Sequence, residues 1–233
     1  MKLYLAVPER GCELRELERV LTQCEADLYV FPESFLHDAT LEAALSLARS
    51  SGARIIAGYR DERGQHAFER ALAIEQGRIV DTYTKCILTG GERAKGRGSG
   101  DGIRCLRTSL GPIGVPICYE VHFPEVARIM ELEHPALMLN LIGTGMHDDM
   151  QCGQWLALAR ARAIENEVCI AGCSHRCGSI PIAFAYTAQG VPLCEVRDAR
   201  GGVSVDIDIS DSAAKRIGYF DDRRPELFAR LCK

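Results

Sequence analysis

The chain is 233 residues long, with 47% hydrophobic and 26% charged residues, a balance that suits a globular domain with a sizeable core and excludes a disordered segment. Its formal net charge is −4, so it lacks the concentrated positive field that a nucleic-acid partner requires. No run of about 18 apolar residues occurs, and Pro8 and Glu9 cut short the apolar N-terminus before it resembles a signal sequence, so neither a membrane partner nor export is expected.

Leu3 to Val7 is a short apolar strand, Leu14, Leu17 and Leu21 recur at helical spacing up to Cys24, and Asp27 to Phe31 is the next strand. The opening is therefore β-α-β. Thr40 to Ser50 forms a second helix, closed by Ser51-Gly52 with glycine where a C-cap belongs, and leads into a strand at Arg54 to Tyr59. Residues 67–74 and 78–84 flank the turn signal Glu75-Gln76-Gly77 and read as a hairpin. A glycine-rich loop covers 90–102, with Arg93, Lys95 and Arg97 solvated on it. A strand at Ile103 to Arg107, a hairpin signal at Leu110-Gly111-Pro112 and a buried-type run from Ile113 to Cys118 follow. Pro124 opens a helix, Pro135 to Leu141 is a strand, Gln154 to Glu165 a long amphipathic helix, and Val168 to Gly172 the strand after it. Ala183 to Tyr186, Pro192 to Val196 and Val203 to Ile209 read as a closing β-meander. With no linker and no repeat, residues 1–233 are expected to form a single α/β domain with a mixed sheet covered by helices.

Eleven cysteines, an odd number, point to reduced thiols in the cytoplasm and not to a disulfide framework. Cys169, Cys173, Cys177 and His175 cluster in sequence, but their spacing fits a zinc knuckle poorly and no second ligand pair follows, so no metal is expected.

Three strand-like runs end in a residue with chemistry: Val30-Phe31-Pro32-Glu33, Tyr83-Thr84-Lys85 and Pro116-Ile117-Cys118. Such ends are where ligand crevices form in α/β sheets. Taken singly, Glu33 suits a solvated loop, Lys85 a surface charge and Cys118 a buried thiol.

Together, FPES at 31–34, YTK at 83–85, ICYEVHFPE at 117–125, RARAIEN at 160–166 and the late turn Gly190-Val191-Pro192 resemble the nitrilase, or carbon–nitrogen hydrolase, superfamily, in order from Leu3 to about Ile209. The resemblance implies a four-layer α-β-β-α sandwich with mixed sheets, a Glu33-Lys85-Cys118 triad and no cofactor. It also implies a homodimer paired through outer helical faces, here through the helix beginning at Pro124 with Ile129, Met130 and Leu132. A second glutamate, Glu92, corresponds to a substrate-orienting or base-supporting carboxylate. The match departs there from the usual pattern, because the glycine-rich run Lys95 to Gly100 replaces an aromatic residue and the interval from Lys85 to Cys118 is short. The segment Asn140 to His147, with Asn140, Gly143, Thr144 and Met146, falls where relatives build the pocket wall, and these residues are expected to contact substrate together with Tyr119 and His122 beside the nucleophile. Glu120, Arg160, Arg162, Glu165 and Asn166 read as structural.

The residue types fit the chemistry independently. A free thiol is only a few per cent ionised at neutral pH, so a nucleophilic cysteine needs a base or a cation beside it. Glu33 supplies the base, while Lys85 and the Tyr119 N–H supply oxyanion donors. A small carboxamide is the expected substrate, because Tyr119 stands where nitrilases carry tryptophan and Tyr119-Glu120-Val121 lacks the asparagine and cations of carbamoylases. An N-carbamoyl compound or a nitrile is the alternative substrate, and an inactive binding scaffold the non-enzyme alternative. A histidine-paired cysteine hydrolase fits less well, since Gly114 to Glu120 lacks the glycine framing of a nucleophile elbow. Arg93, Lys95 and Arg97 are the cations expected to draw a substrate carboxylate to the entrance.

Overall fold

Six strands of the computed structural model, which describes residues 1–177, 179–210 and 217–232, form the first of two sheets: β1 (Lys2–Val7), β2 (Leu28–His37), β3 (Arg54–Asp61), β4 (Phe68–Glu75), β5 (Arg78–Thr84) and β12 (Gly201–Asp206), in the order β12-β1-β2-β3-β4-β5. The second contains β6 (Leu106–Thr108), β7 (Gly111–Gly114), β8 (Leu137–Ile142), β9 (Ile170–Ser174), β10 (Ile182–Tyr186) and β11 (Pro192–Arg197), in the order β11-β10-β9-β8-β7-β6. Each sheet mixes modes: β1, β2 and β3 run parallel while β4 and β5 are antiparallel, and β7, β8 and β9 run parallel beside antiparallel β10 and β11.

Helices α1 (Glu13–Gln23) and α2 (Asp38–Ser51) cover the outer face of the first sheet, packing Leu17, Val20, Leu41 and Ala44 against Tyr29, Phe31 and Ile55. Helices α4 (Pro124–Glu131) and α5 (Asp149–Asn166) cover the second, and their Val126, Met130, Trp155 and Ala159 join a core shared by the inward faces of both sheets. The result is the expected α-β-β-α sandwich. Strands covered on both faces lose the apolar-polar alternation, which is why all of β8 and all but the first residue of β1 are buried. The edge strand β11 keeps that alternation, with mostly exposed residues.

The hairpin expected at Gln76-Gly77 is present, both residues having positive φ, 50° and 69°, as a type I′ connection requires. Four expectations change. The final strands are not one meander: β10 and β11 pair in the second sheet, whereas β12 crosses over and pairs antiparallel with β1, from Lys2 against Asp206 to Val7 against Gly201. Helix α5 begins before Gln154, because Asp148 caps it by accepting the Gln151 N–H at 2.7 Å. The strand near Ile103 begins only at Leu106, and the glycine-rich loop contains a short helix, α3 (Gly90–Ala94). No helix among the described residues is long and apolar enough to cross a membrane.

Candidate active site

Glu33 sits on an irregularity in β2, where the register against β3 shifts between Phe31 and Leu36 and Ser34 takes a positive φ of 57°. Bulges of this kind re-aim a side chain. The backbone there presses on Gly58 of β3, where an added Cβ would lie 2.3 Å from the Pro32 carbonyl oxygen and 2.4 Å from the Glu33 Cα. From the second sheet, His175 Nε2 donates to the Glu33 carbonyl at 2.9 Å. Burial, reinforced by the nearby Arg10 charge, pushes the His175 pKa down to about 4, so it serves as a neutral donor. Buried Glu69 holds the other flank: it accepts from Ser34 Oγ at 2.6 Å and pairs with Arg60 at 3.0 Å and with Arg97.

Lys85 directly follows β5, with its Nζ 2.7 Å from Glu33 Oε1 and 2.8 Å from Glu92 Oε1. The lysine is 1% exposed. Burial works to lower its pKa, but the Glu33 carboxylate, the Cys118 group and the two hydrogen bonds outweigh it and raise the pKa, so the ammonium persists. Glu92 is set by a capping box on α3: Thr89 N–H donates to its Oε2 at 2.7 Å, and its own N–H donates to Thr89 Oγ1 at 3.1 Å. Burial works against its ionisation, yet Lys85 and Thr89 hold its pKa below the usual carboxylate value.

Cys118 follows β7 and a parallel bridge of Ile117 with Leu141, and it opens a 3-10 helix, Cys118–His122. Its φ is +49°, a strained turn of the kind used to present a nucleophile, formed here without glycine framing. Burial, together with the facing Glu33 carboxylate, raises the thiol pKa, and Lys85 and the Gly143 N–H oppose that rise. The raised pKa favours the neutral thiol, which faces the Glu33 carboxylate. Fully buried Glu120 ties this turn to the lysine strand: it accepts from Tyr83 Oη at 2.9 Å, Cys86 N–H at 2.7 Å, Ile87 N–H at 3.1 Å and Ile117 N–H at 2.8 Å. The α5 residue Arg162 bonds the carbonyls of Val121 and His122 at 2.9 and 3.3 Å and pairs with Glu165 at 2.9 Å.

Of the expected substrate contacts, Tyr119 and His122 pack with tilted rings 5.3 Å apart between centroids, and His122 meets Trp155 edge-on at 4.6 Å, forming an aromatic wall beside Cys118. Gly143 lies against the Glu33 carboxylate, where an added Cβ would be 2.2 Å from Oε2. Thr144 is exposed at the rim. Two expectations require correction. Asn140 is fully buried and has no group left for substrate: its amide donates to the Pro116 and Cys118 carbonyls at 2.7 and 3.2 Å and accepts from Trp155 Nε1 at 2.8 Å. Met146 is 1% exposed, and its backbone pairs with Ile180.

The cations singled out in the glycine-rich loop do not all face substrate either. Arg97 is engaged by Glu69, and Arg93 donates to the Leu88 carbonyl. Both still line an open cavity of about 390 Å³ with Cys86, Ile87, Leu88 and Ser99. His175, Glu69 and Arg10 are the site residues missed from sequence. Each acts through a contact remote in the chain, and no local pattern marks it. Among the described residues no three His, Cys, Asp or Glu side chains converge as metal ligands.

Comparison with known proteins follows the same lines. The carbon-nitrogen hydrolase family profile matches residues 13–216. A protein of Schizosaccharomyces pombe named a probable nitrilase is 29% identical over 67% of this chain, which spans 60% of that protein. Among solved structures, a carbon-nitrogen hydrolase from Helicobacter pylori G27 superposes with a TM-score of 0.87 over 100% of this chain and 99% of its own, at 19% identity. An amidase from Nesterenkonia sp. AN1, whose active-site cysteine carries the acetamide moiety of fluoroacetamide, superposes with a TM-score of 0.81 over 98% of this chain and 95% of its own, at 21% identity.

Proposed function

The chain belongs to the carbon-nitrogen hydrolase family, and from that membership we propose that it hydrolyses a small carboxamide through a Cys118 thioester, with Glu33 as base and Lys85 as charge donor. The observation that supports this most is the buried ammonium of Lys85 held between the carboxylates of Glu33 and Glu92 at 2.7 and 2.8 Å, with the Cys118 thiol facing Glu33. As Sγ attacks the amide carbon, Glu33 takes the thiol proton and passes it to the departing nitrogen. The oxyanion is received by Lys85 and the Tyr119 N–H, where losing one donor costs on the order of 10²–10³ in rate. Ammonia leaves a thioester. Glu33 then deprotonates water, which attacks the thioester carbon, and the proton returns to sulfur as the carboxylic acid departs. Glu92 keeps the ammonium oriented through both steps. The many thiols suit a reducing, cytoplasmic location.

The test is ammonia release from a panel of amides, N-carbamoyl compounds and nitriles. Wild type should turn over amides, Cys118→Ala should be inactive with an unchanged circular dichroism spectrum, and Glu33→Gln should lose roughly 10²–10⁴ in rate. Residual turnover by Cys118→Ala would remove the covalent mechanism. Nitrile turnover alone would reassign the substrate while leaving the triad in place.

A further inference from the structure

We propose that Arg10 is the specificity-determining cation of this site and receives a carboxylate carried on the acyl part of the amide substrate. The assignment rests on the amide hydrolysis proposed above and adds the substrate class.

Strand β1 runs parallel to β2 with Leu5 opposite Val30, so the residues after Val7 leave the sheet beside Pro32 and Glu33. That segment is tied down over the site by the Arg176 N–H bond to the Pro8 carbonyl at 2.8 Å and by the Glu9–Arg176 ion pair at 2.8 Å. From it Arg10 reaches across to the second sheet and donates through Nη2 to the Gly143 carbonyl. Gly143 is the residue whose N–H faces the Cys118 thiol and whose Cα rests on the Glu33 carboxylate. The guanidinium is thereby held on the residue that borders both Cys118 and Glu33.

The charge balance leaves two arginines of the site without a carboxylate among the described residues: Arg93, which is next to Glu92 and donates to the Leu88 carbonyl, and Arg10 on the Gly143 side. Arg60 and Arg97 are engaged by Glu69, Arg176 by Glu9, and Lys85 by two carboxylates. Arg10 is exposed, and among the described residues it pairs with no carboxylate. One of its five N–H donors is used on Gly143, and the rest are available as the fork that matches a carboxylate. A substrate anion is repelled by Glu33 and Glu92 at the reacting carbon, so it belongs at a distance from that carbon, on the Gly143 side. An amide with an acid group a few atoms from its carbonyl, such as the monoamide of a short dicarboxylic acid, meets both conditions.

The test compares succinamate with butyramide, which differ in the terminal carboxylate. Wild type should favour succinamate by roughly 10-fold or more in kcat/KM, expressed mainly in KM, since a charge-assisted bidentate pair is a strong one. Arg10→Gln should erase the preference, bringing the succinamate-to-butyramide ratio of kcat/KM to about 1 whatever its effect on both amides together, and Arg10→Lys, which keeps the charge without the fork, should retain part of the ratio. Equal use of the two amides by wild type, a preference that survives Arg10→Gln, or an equal loss on both amides would overturn the assignment while leaving the amidase reading standing. Turnover of neither amide by wild type would instead overturn the amidase reading and the inference with it.

Discussion

Replacing Gly143 by alanine isolates the placement of the Glu33 carboxylate, the proposed base, from the stability of the fold. The new Cβ would lie 2.2 Å from Glu33 Oε2, whereas ordinary van der Waals contact begins at 3.4 Å, so the carboxylate must retreat by about 1.2 Å. The obstacle is the far end of a flexible side chain, and Gly143 has no positive φ that alanine would strain. Glu33 can move, but only by loosening the 2.7 Å contact with Lys85 and by turning away from the Cys118 thiol that it faces. A misplacement of roughly 1 Å in a catalytic geometry costs on the order of 10²-fold. Gly143→Ala should therefore lower kcat by about that factor in an ammonia-release assay, with a thermal midpoint within a few degrees of wild type. Gly58→Ala is the control with the opposite outcome, because its Cβ would meet backbone, the Pro32 oxygen at 2.3 Å and the Glu33 Cα at 2.4 Å, and the fold itself should suffer. A Gly143→Ala enzyme with wild-type kcat would refute the placement of Glu33 as the base.

The remaining expectations concern stability, pH and assembly. The His175 imidazole has a pKa lowered from 6.5 to about 4 by burial, so the unfolded chain binds the additional proton in that window. Stability from this group is fully present above pH 6.5 and lost as pH falls towards 4, by at most roughly 3 kcal/mol, and urea titrations of wild type and His175→Gln should show a weaker acid loss in the variant. Glu120→Ala strands the Tyr83 hydroxyl and the N–H groups of Cys86, Ile87 and Ile117. At about 1–3 kcal/mol for each buried unsatisfied group, chemical denaturation should report several kcal/mol lost, and a change under about 1 kcal/mol would deny the clamp. Assembly through α4 is expected from Ile129 and Leu132, which are 39% and 57% exposed, while Met130 points into the core and takes no part. Light scattering that gives the 25.6 kDa monomer mass at micromolar concentration would contradict a dimer.

Much of the architecture is legible because its causes are local. Two successive positive φ angles at Gln76 and Gly77 make a hairpin wherever that dipeptide lies between strands. Helical spacing of Leu14, Leu17 and Leu21 shows in any context. The box formed by Thr89 and Glu92 was equally local, and its Thr-x-x-Glu pattern marks a helix start inside a stretch that glycine content alone makes look irregular. The sheet joined by β12 is a different matter. The alternation of Val203 and Val205 is the same whichever edge it meets, and its partner β1 lies nearly the whole chain away.

The site divides in the same way. That a thiol, a carboxylate and an ammonium end three strand-like runs is a property of the sequence, since nucleophile, base and charge donor each demand a residue type. Their convergence depends on how the two sheets stack, and so does the burial that leaves Lys85 1% exposed between two carboxylates. Side-chain direction is likewise settled by packing: Asn140 turns towards Trp155 and the nucleophile turn because α5 lies there, and Met146 turns inward with the pairing of Ile180. His175 carries no sign in sequence that it holds the Glu33 backbone 142 residues away. Residue chemistry is written locally along the chain, but distance, burial and charge pairing are relations between segments and come into being only when those segments pack.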